Sequence, residues 1–258
     1  MSTALVTGAT AGIGREFARA LAARGHDLVL VARDGARLGG VAAELRDRHG
    51  ITADVLAADL VSDDGLRAVE ARLGDHDAPV DILVNNAGMG TYGEFVDLDV
   101  CHEVREIELN VLALVRLTHA ALGGMVPRGE GAVLNISSLA AYQPDPMSAT
   151  YGATKAFVNS FSHAVHEEVR RRGVHVMVVC PGYTHTEFHE RAGLGPTQVP
   201  EFLWQSPEQV VEAALRDLDR RRALSIPGAL NKTLGALSSS VPAGITRWFA
   251  GQVTRRSG

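Results

Sequence analysis

Ala4-Leu5-Val6-Thr7-Gly8-Ala9-Thr10-Ala11-Gly12-Ile13-Gly14 stands at the head of the chain. Residues 4–6 read as a buried strand, and Gly8, Gly12 and Gly14 as a tight turn into a helix. Phe17, Ala18, Ala20, Leu21 and Ala22 then recur at helical spacing as far as Gly25, a C-cap signal, and Leu28-Val29-Leu30-Val31 follows at once as a second strand. The unit is strand–helix–strand with a glycine-rich first turn. Such a turn offers backbone N–H groups and the positive end of the helix dipole to a pyrophosphate. Glycine is required wherever a Cβ would block the anion or the helix–strand contact. The spacing is Gly-x-x-x-Gly-x-Gly, not Gly-x-Gly-x-x-Gly.

Outward from this unit, strand and helix patterns alternate. Candidate strands lie near residues 4–6, 28–31, 52–57, 82–84, 132–136, 175–179 and 223–226, and the longest helices are expected over 101–122 and 149–172. The alternation specifies an α/β fold, a doubly wound Rossmann-type seven-stranded parallel sheet with helices on both faces. A ligand then belongs at the carboxyl ends of the strands. Residues 1–258 are expected to form a single domain, with a substrate lid over about 186–204 and a variable C-terminal extension over about 227–258. Gly193, Gly195, Pro196 and Pro200 mark the lid as loop-rich.

A hydrophobic content of 46% supports one sizeable core, and a formal charge of −5 leaves no basic footprint for nucleic acid. Cys101 and Cys180 do not suggest a disulfide framework; Cys180 ends an apolar run and reads as a buried thiol. The early first strand leaves no room for a signal peptide, and no stretch approaches the roughly 20 apolar residues of a membrane span. The expectation is a cytoplasmic soluble protein.

Tyr151 and Lys155 are four residues apart, and Ser138 lies thirteen residues before Tyr151. Residues i and i+4 share one face of a helix. An ammonium beside a phenol is expected to pull its pKa down from about 10 towards neutrality, giving a group that donates or accepts a proton at working pH. Asn110 falls in the middle of an expected helix, where Asn competes for backbone groups, and so invites a functional reading.

Thr7-Gly8-x-x-x-Gly12-x-Gly14, Asn85-Asn86-Ala87-Gly88, Asn110, Ser138, Tyr151-x-x-x-Lys155 and Pro181-Gly182 occur in an order and spacing that resembles the short-chain dehydrogenase/reductase family, over roughly residues 1–190. The resemblance implies hydride transfer between a nicotinamide cofactor and a carbonyl or alcohol carbon. It gives Tyr151 the role of proton donor and acceptor, and Ser138 a hydrogen bond to the substrate oxygen. Lys155 is to hold the nicotinamide ribose and lower the Tyr151 pKa, and Asn110 to hold a water linking Lys155 to solvent. Ser137 competes with Ser138, and the thirteen-residue spacing favours Ser138. Implied cofactor contacts are Gly8, Thr10, Ala11, Gly12, Ile13 and Gly14 at the turn, and Asp59 and Leu60 at the adenine. Asn86, Ala87 and Gly88 are implied at the ribose, with Tyr151 and Lys155; Pro181 and Gly182 are implied as further cofactor contacts, and Thr184 and Thr186 near the carboxamide. Asp59 reads equally as a cap for a helix beginning near Ser62, and Asn85 and Asn86 as ties between strands. Family members pair through two long helices, which implies a homodimer or homotetramer.

An acid at the end of the second strand would select NAD(H). Here Ala32 takes that position and Arg33 follows, so a guanidinium can grip a 2′-phosphate and NADP(H) is the preferred cofactor, with NAD(H) as the alternative. Arg37 is a candidate second contact, and a surface pairing of Arg33 with Asp34 or Glu44 is the competing explanation. Candidate substrate walls are Met89, Tyr92, Leu139, Gln143, Met147, Tyr183, Phe188, Phe202, Leu203 and Trp204, mostly apolar, which suits a hydrophobic carbonyl or alcohol. His185 and His189 have a spacing that can serve zinc, but no third ligand is signalled and no metal is expected. The C-terminal apolar residues suit subunit contact or packing on the domain, with a membrane-surface helix as the alternative. A cofactor-binding sensor or scaffold, and a sugar-nucleotide epimerase or dehydratase, are the competing functions. The intact Asn110, Ser138, Tyr151 and Lys155 argue against the first, and the short chain and glycine spacing against the second.

Overall fold

The computed structural model describes residues 2–193, 199–228 and 230–233. Seven strands form one parallel sheet: β1 (Thr3–Thr7), β2 (Asp27–Ala32), β3 (Ala53–Ala57), β4 (Ile82–Asn85), β5 (Gly131–Ile136), β6 (Val174–Val179) and β7 (Leu224–Ser225). Their order is β3-β2-β1-β4-β5-β6-β7. Each expected strand is present with no end displaced by more than one residue. The winding reverses between β1 and β4, and the carboxyl ends of those two strands flank a crevice there.

The helices are α1 (Gly12–Ala23), α2 (Gly35–His49), α3 (Asp63–Leu73), α4 (Val100–Ile107), α5 (Leu114–Arg128), α6 (Ala149–Val169), α7 (Phe188–Arg191) and α8 (Pro207–Asp219). Strand alternation sorts the core into two layers. Ala4 and Val6 face Phe17, Leu21, Leu38, Leu45, Val211 and Leu215 of α1, α2 and α8. Leu5 faces the other way, towards Leu66, Val69, Leu117, Met125 and Val165 of α3, α5 and α6. Burying each large side chain contributes roughly 1.5–3 kcal/mol. Side chains set several helix starts: Asp34 caps α2, Ser62 caps α3, Asp99 caps α4 and Ser206 forms a capping box with Gln209 on α8.

The helix expected over 101–122 is not continuous. A π-helical stretch, Glu108–Ala113, joins α4 to α5, and Asn110 sits within it. The extra residue of a π turn is a local distortion that recurs at functional sites; here it coincides with hydrogen bonds from Asn110 to groups outside the helix. The helix expected over 149–172 likewise ends as α6 at Val169, with a 3₁₀ turn over Arg170–Arg172. The combined helix Val100–Arg128 is long and apolar enough to cross a membrane by length and composition, which corrects the expectation that no stretch approaches a span. Of its apolar window 44% is buried inside the molecule, and Leu117, Ala121 and Met125 pack in the core layer under the sheet.

Candidate active site

β1 runs into the first glycine turn at Gly8, which takes φ 68°, a conformation costly for any residue with a Cβ. A Cβ at Gly8 would also lie 2.7 Å from Asn86 Nδ2. The helix that follows has no side-chain cap: Ala11 holds the N-cap position of α1, in contrast to Asp34, Ser62, Asp99 and Ser206 elsewhere. Its first N–H groups and its dipole are thus left to whatever enters the crevice.

The crevice is a cleft of about 2340 Å³ along the carboxyl ends of the strands. Gly8, Thr10, Ala11, Gly12, Ile13, Arg33, Asp59, Leu60, Asn86, Ala87, Gly88, Tyr151, Lys155, Pro181, Gly182, Thr184 and Thr186 all line it, as does Ser138. Gly14 does not. It underlies the turn, where a Cβ would come within 2.3 Å of both Gly8 O and Asn86 Nδ2. The Asn86 side chain also serves the scaffold, Nδ2 donating to Thr7 O at 2.9 Å. Asn85 knits strands together: its Nδ2 donates to Asn135 Oδ1 at 2.9 Å and to Thr118 Oγ1 at 3.0 Å. Leu60 buries its side chain in the core, so only its backbone is offered to the cleft. The cap of α3 is Ser62; Asp59 Oδ1 accepts from Val61 N at 3.2 Å.

At the outer end of β2, Arg33 is exposed and makes no hydrogen bond or ion pair among the described residues. The competing surface pairings are absent. Asp34 is engaged as the α2 cap, accepting from Arg37 N at 3.0 Å, and Glu44 pairs with Arg15 at 2.7 Å and Arg48 at 3.5 Å. Arg37 differs from Arg33: its Nη2 donates to Glu187 Oε1 at 3.0 Å, tying the mouth of the cleft to the lid. An uncapped helix start, a glycine cradle and an unpaired guanidinium are a donor set suited to a dinucleotide carrying an additional phosphate.

Tyr151 lies in the first turn of α6 and Lys155 one turn later, with Lys155 Nζ 5.6 Å from the Tyr151 ring centroid. Lys155 is 5% exposed and its Nζ donates to Ile136 O at 2.9 Å, at the end of β5. Both serines line the cleft, but Ser137 is buried and its Oγ donates to Lys155 O at 3.0 Å, bracing α6, whereas it is Ser138 that shares a hydrogen bond with Tyr151. Burial holds the Tyr151 phenol above its ordinary range, and a hydrogen bond with Ser138 works against that rise. Burial also lowers the Lys155 ammonium to about 8. The expectation that Lys155 pulls Tyr151 towards neutrality is therefore corrected: desolvation dominates both groups.

Asn110 does not line the cleft. Its Oδ1 accepts from Met89 N at 3.0 Å, and its Nδ2 donates to Met89 O at 2.8 Å and Thr154 Oγ1 at 3.1 Å. It fastens the loop after β4 to α6, and that is the role the geometry gives it.

Met89, Tyr92, Leu139, Gln143, Met147, Tyr183, Phe188 and Leu203 line the cleft as expected. Phe202 does not, being 74% exposed, and Trp204 instead stacks with His185, packs at a tilt against Tyr183 and meets His189 edge-on. His185 Nε2 contacts Glu201 Oε1 at 3.0 Å, and among the described residues no group of three metal-ligating side chains is present. The lid carries α7 and a 3₁₀ turn, Glu201–Leu203, and its residues 194–198 lie outside the described residues. Most of the extension, 229 and 234–258, lies outside them as well. Glu103 and Glu106, both buried, were not singled out by the sequence reading; their placement seven and four positions before Asn110 on one helix face is the signal that could have found them.

A family model described as short chain dehydrogenase matches residues 2–195. Very-long-chain 3-oxoacyl-CoA reductase of Bos taurus is 34% identical over 263 residues, covering 99% of this chain and 79% of that one. A short-chain dehydrogenase from Sphingobium yanoikuyae, solved in complex with NADPH, is 40% identical with a TM-score of 0.85, covering 100% of this chain and 94% of that one. The bulky-bulky ketone specific alcohol dehydrogenase from Comamonas testosteroni is 36% identical with a TM-score of 0.79, covering 94% of this chain and 95% of that one.

Proposed function

Because the chain belongs to the short-chain dehydrogenase family, an oxidoreductase family acting between CH–OH and C=O, we propose that it reduces an apolar ketone with NADPH and that Tyr151 donates the proton. The observation that carries this reading is the meeting of Ser138, Tyr151 and Lys155 in one cleft with the uncapped start of α1 and the unpaired Arg33.

When bound, the nicotinamide supplies the hydride. The Gly8–Gly12 turn would hold the pyrophosphate, Arg33 the 2′-phosphate, and Asp59 with the Leu60 backbone the adenine. Ser138 Oγ–H and Tyr151 O–H donate to the substrate carbonyl oxygen and fix it in line. As negative charge develops on that oxygen, the Tyr151 proton crosses to it, and the Lys155 ammonium stabilises the phenolate left behind. A phenol held protonated by burial is suited to this direction, because its proton is present at working pH.

The walls support the substrate class. Met89, Leu139, Met147 and Phe188 give an apolar lining, as a hydrophobic ketone requires. The Comamonas relative is a bulky-bulky ketone specific alcohol dehydrogenase and the Bos taurus relative a very-long-chain 3-oxoacyl-CoA reductase; both names point to a large substrate carrying a ketone. NADPH oxidation measured with a graded series of apolar ketones, including a 3-oxoacyl thioester, tests the reading. Turnover rising with apolar bulk is expected; NADPH binding with no turnover across the series would overturn it.

A further inference from the structure

Glu103, Glu106 and Asn110 lie on one face of the α4–π segment. Two bonds cross from that face to α6: Thr150 Oγ1 donates to Glu103, and Asn110 Nδ2 donates to Thr154 Oγ1. These bonds bracket Glu106, so its carboxyl faces the stretch of α6 that carries Tyr151 and Lys155. Glu106 is 0% exposed, its Oε2 contacts Thr91 Oγ1 at 3.0 Å, and its Oε1 is buried with no hydrogen-bond partner.

Thr91 Oγ1 also lies 2.5 Å from Glu103 Oε1. A hydroxyl carries a single proton. It can donate to one carboxylate only, so the second contact requires a carboxyl that is itself protonated. Two buried carboxylates sharing one hydroxyl cannot both hold full charge. The orphaned oxygen puts the proton on Glu106. Burial, reinforced by the charge of Glu103, raises the Glu106 carboxyl to about 7, against hydrogen bonding from Thr91 and the pull of Lys155.

We propose that Glu106 is a positioning residue that stores one proton beside Tyr151 and Lys155, and that its ionisation sets the charge both of them feel. The inference rests on the reading of Tyr151 as the proton-exchanging group. When Glu106 ionises, its charge favours the Lys155 ammonium and opposes the Tyr151 phenolate. Asp145 and Cys180 act on Tyr151 in the same sense as Glu106, and Cys180 also acts on Lys155. Glu106 differs from Asp145 in bearing on both groups, and from Cys180 in that burial pushes the Cys180 thiol up to about 11, so it stays protonated where Glu106 ionises.

The test is Glu106→Gln, which keeps the shape and removes the charge. The pH dependence of kcat/KM for alcohol oxidation reports formation of the Tyr151 phenolate on its acidic limb. That limb should move down by about one pH unit, the size of effect one nearby like charge produces. An ultraviolet phenolate titration, with Tyr151→Phe as the blank, should move equally, and a merely structural role would move neither. Glu106→Met, also uncharged, should give the same displacement and covers the case in which the Gln variant does not fold. Superimposable limbs and titrations in a folded variant would overturn the inference. If Tyr151→Phe itself keeps turnover, the functional reading fails first; if that variant is inactive and the Glu106 profiles are unmoved, this inference alone fails.

Discussion

The Phe188 ring rests against the Tyr151 ring, with centroids 5.3 Å apart, so the lid helix α7 places an aromatic wall against Tyr151. A Cβ on Gly90 would lie 3.0 Å from the Phe188 ring and 3.2 Å from the Tyr151 ring, so the space between them is closely filled. Phe188→Ala should enlarge the pocket beside the reacting carbon. We expect kcat/KM to rise for the bulkiest ketones and fall for small ones, a change in selectivity of about tenfold, which is the scale of one apolar contact in a pocket. Competition between a large and a small ketone under one NADPH supply measures it; an unchanged ratio would remove Phe188 from the substrate wall.

Arg33 and Arg37 stand at the same lip of the cleft but differ in charge balance, because among the described residues Arg37 is paired, with Glu187, and Arg33 is not. Arg33→Ala should weaken NADPH binding tenfold or more, since a charge-assisted bond is worth roughly 1.5–3 kcal/mol, and leave NADH binding unchanged. Arg37→Ala should cost less. Fluorescence titration of both variants with both cofactors checks the order.

Asn110 satisfies both backbone groups of Met89 and the hydroxyl of Thr154. Asn110→Ala leaves the half-buried Met89 N–H and C=O without these partners, while Thr154 Oγ1 keeps its bond to Tyr151 O; an unsatisfied group costs about 1–3 kcal/mol. The variant should melt at lower temperature and lose turnover together, as the Gly88–Met89 loop loses its anchor on α6. Full activity at wild-type melting temperature would contradict the assigned role.

His175 is 3% exposed, its Nε2 lies 3.0 Å from Arg222 O, and burial pushes it down to about 4, with the neighbouring His166 adding to the effect. The folded protein keeps this imidazole neutral where the unfolded chain, near 6.5, would protonate it. Its stabilisation is thus present above about pH 6.5 and is lost as pH falls towards 4, amounting to up to about 3 kcal/mol. Denaturant titrations at pH 7 and pH 4.5 measure the loss; in His175→Phe that part of the pH dependence should disappear.

The fold was legible because β1, β2, β4, β5 and β6 each carry a continuous apolar run and the longer helices a periodic one, and because the glycine turn fixes where the first βαβ unit bends. The cleft residues were legible for the same reason: they follow strands directly, as Gly8 follows β1 and Gly88 follows β4. Contacts between distant segments were not. Nothing local in the sequence says that Asn110 bonds to Met89, 21 residues away, or that the helix there opens into a π turn. Glu106 looks like an ordinary helix glutamate until α6 covers it, and Phe202 like a wall residue until the 3₁₀ turn points it outward. The balance of the Tyr151 and Lys155 titrations was misjudged because spacing reports proximity, whereas burial is a property of the assembled layers.

The central claim is that Tyr151 hands its proton to the substrate oxygen. Tyr151→Phe, assayed for NADPH oxidation with an apolar ketone that the wild type accepts, tests it most directly. Turnover should fall at least about 100-fold, the low end for loss of a general acid, while NADPH still binds. Turnover near the wild-type value would contradict the account and remove Tyr151 from the mechanism.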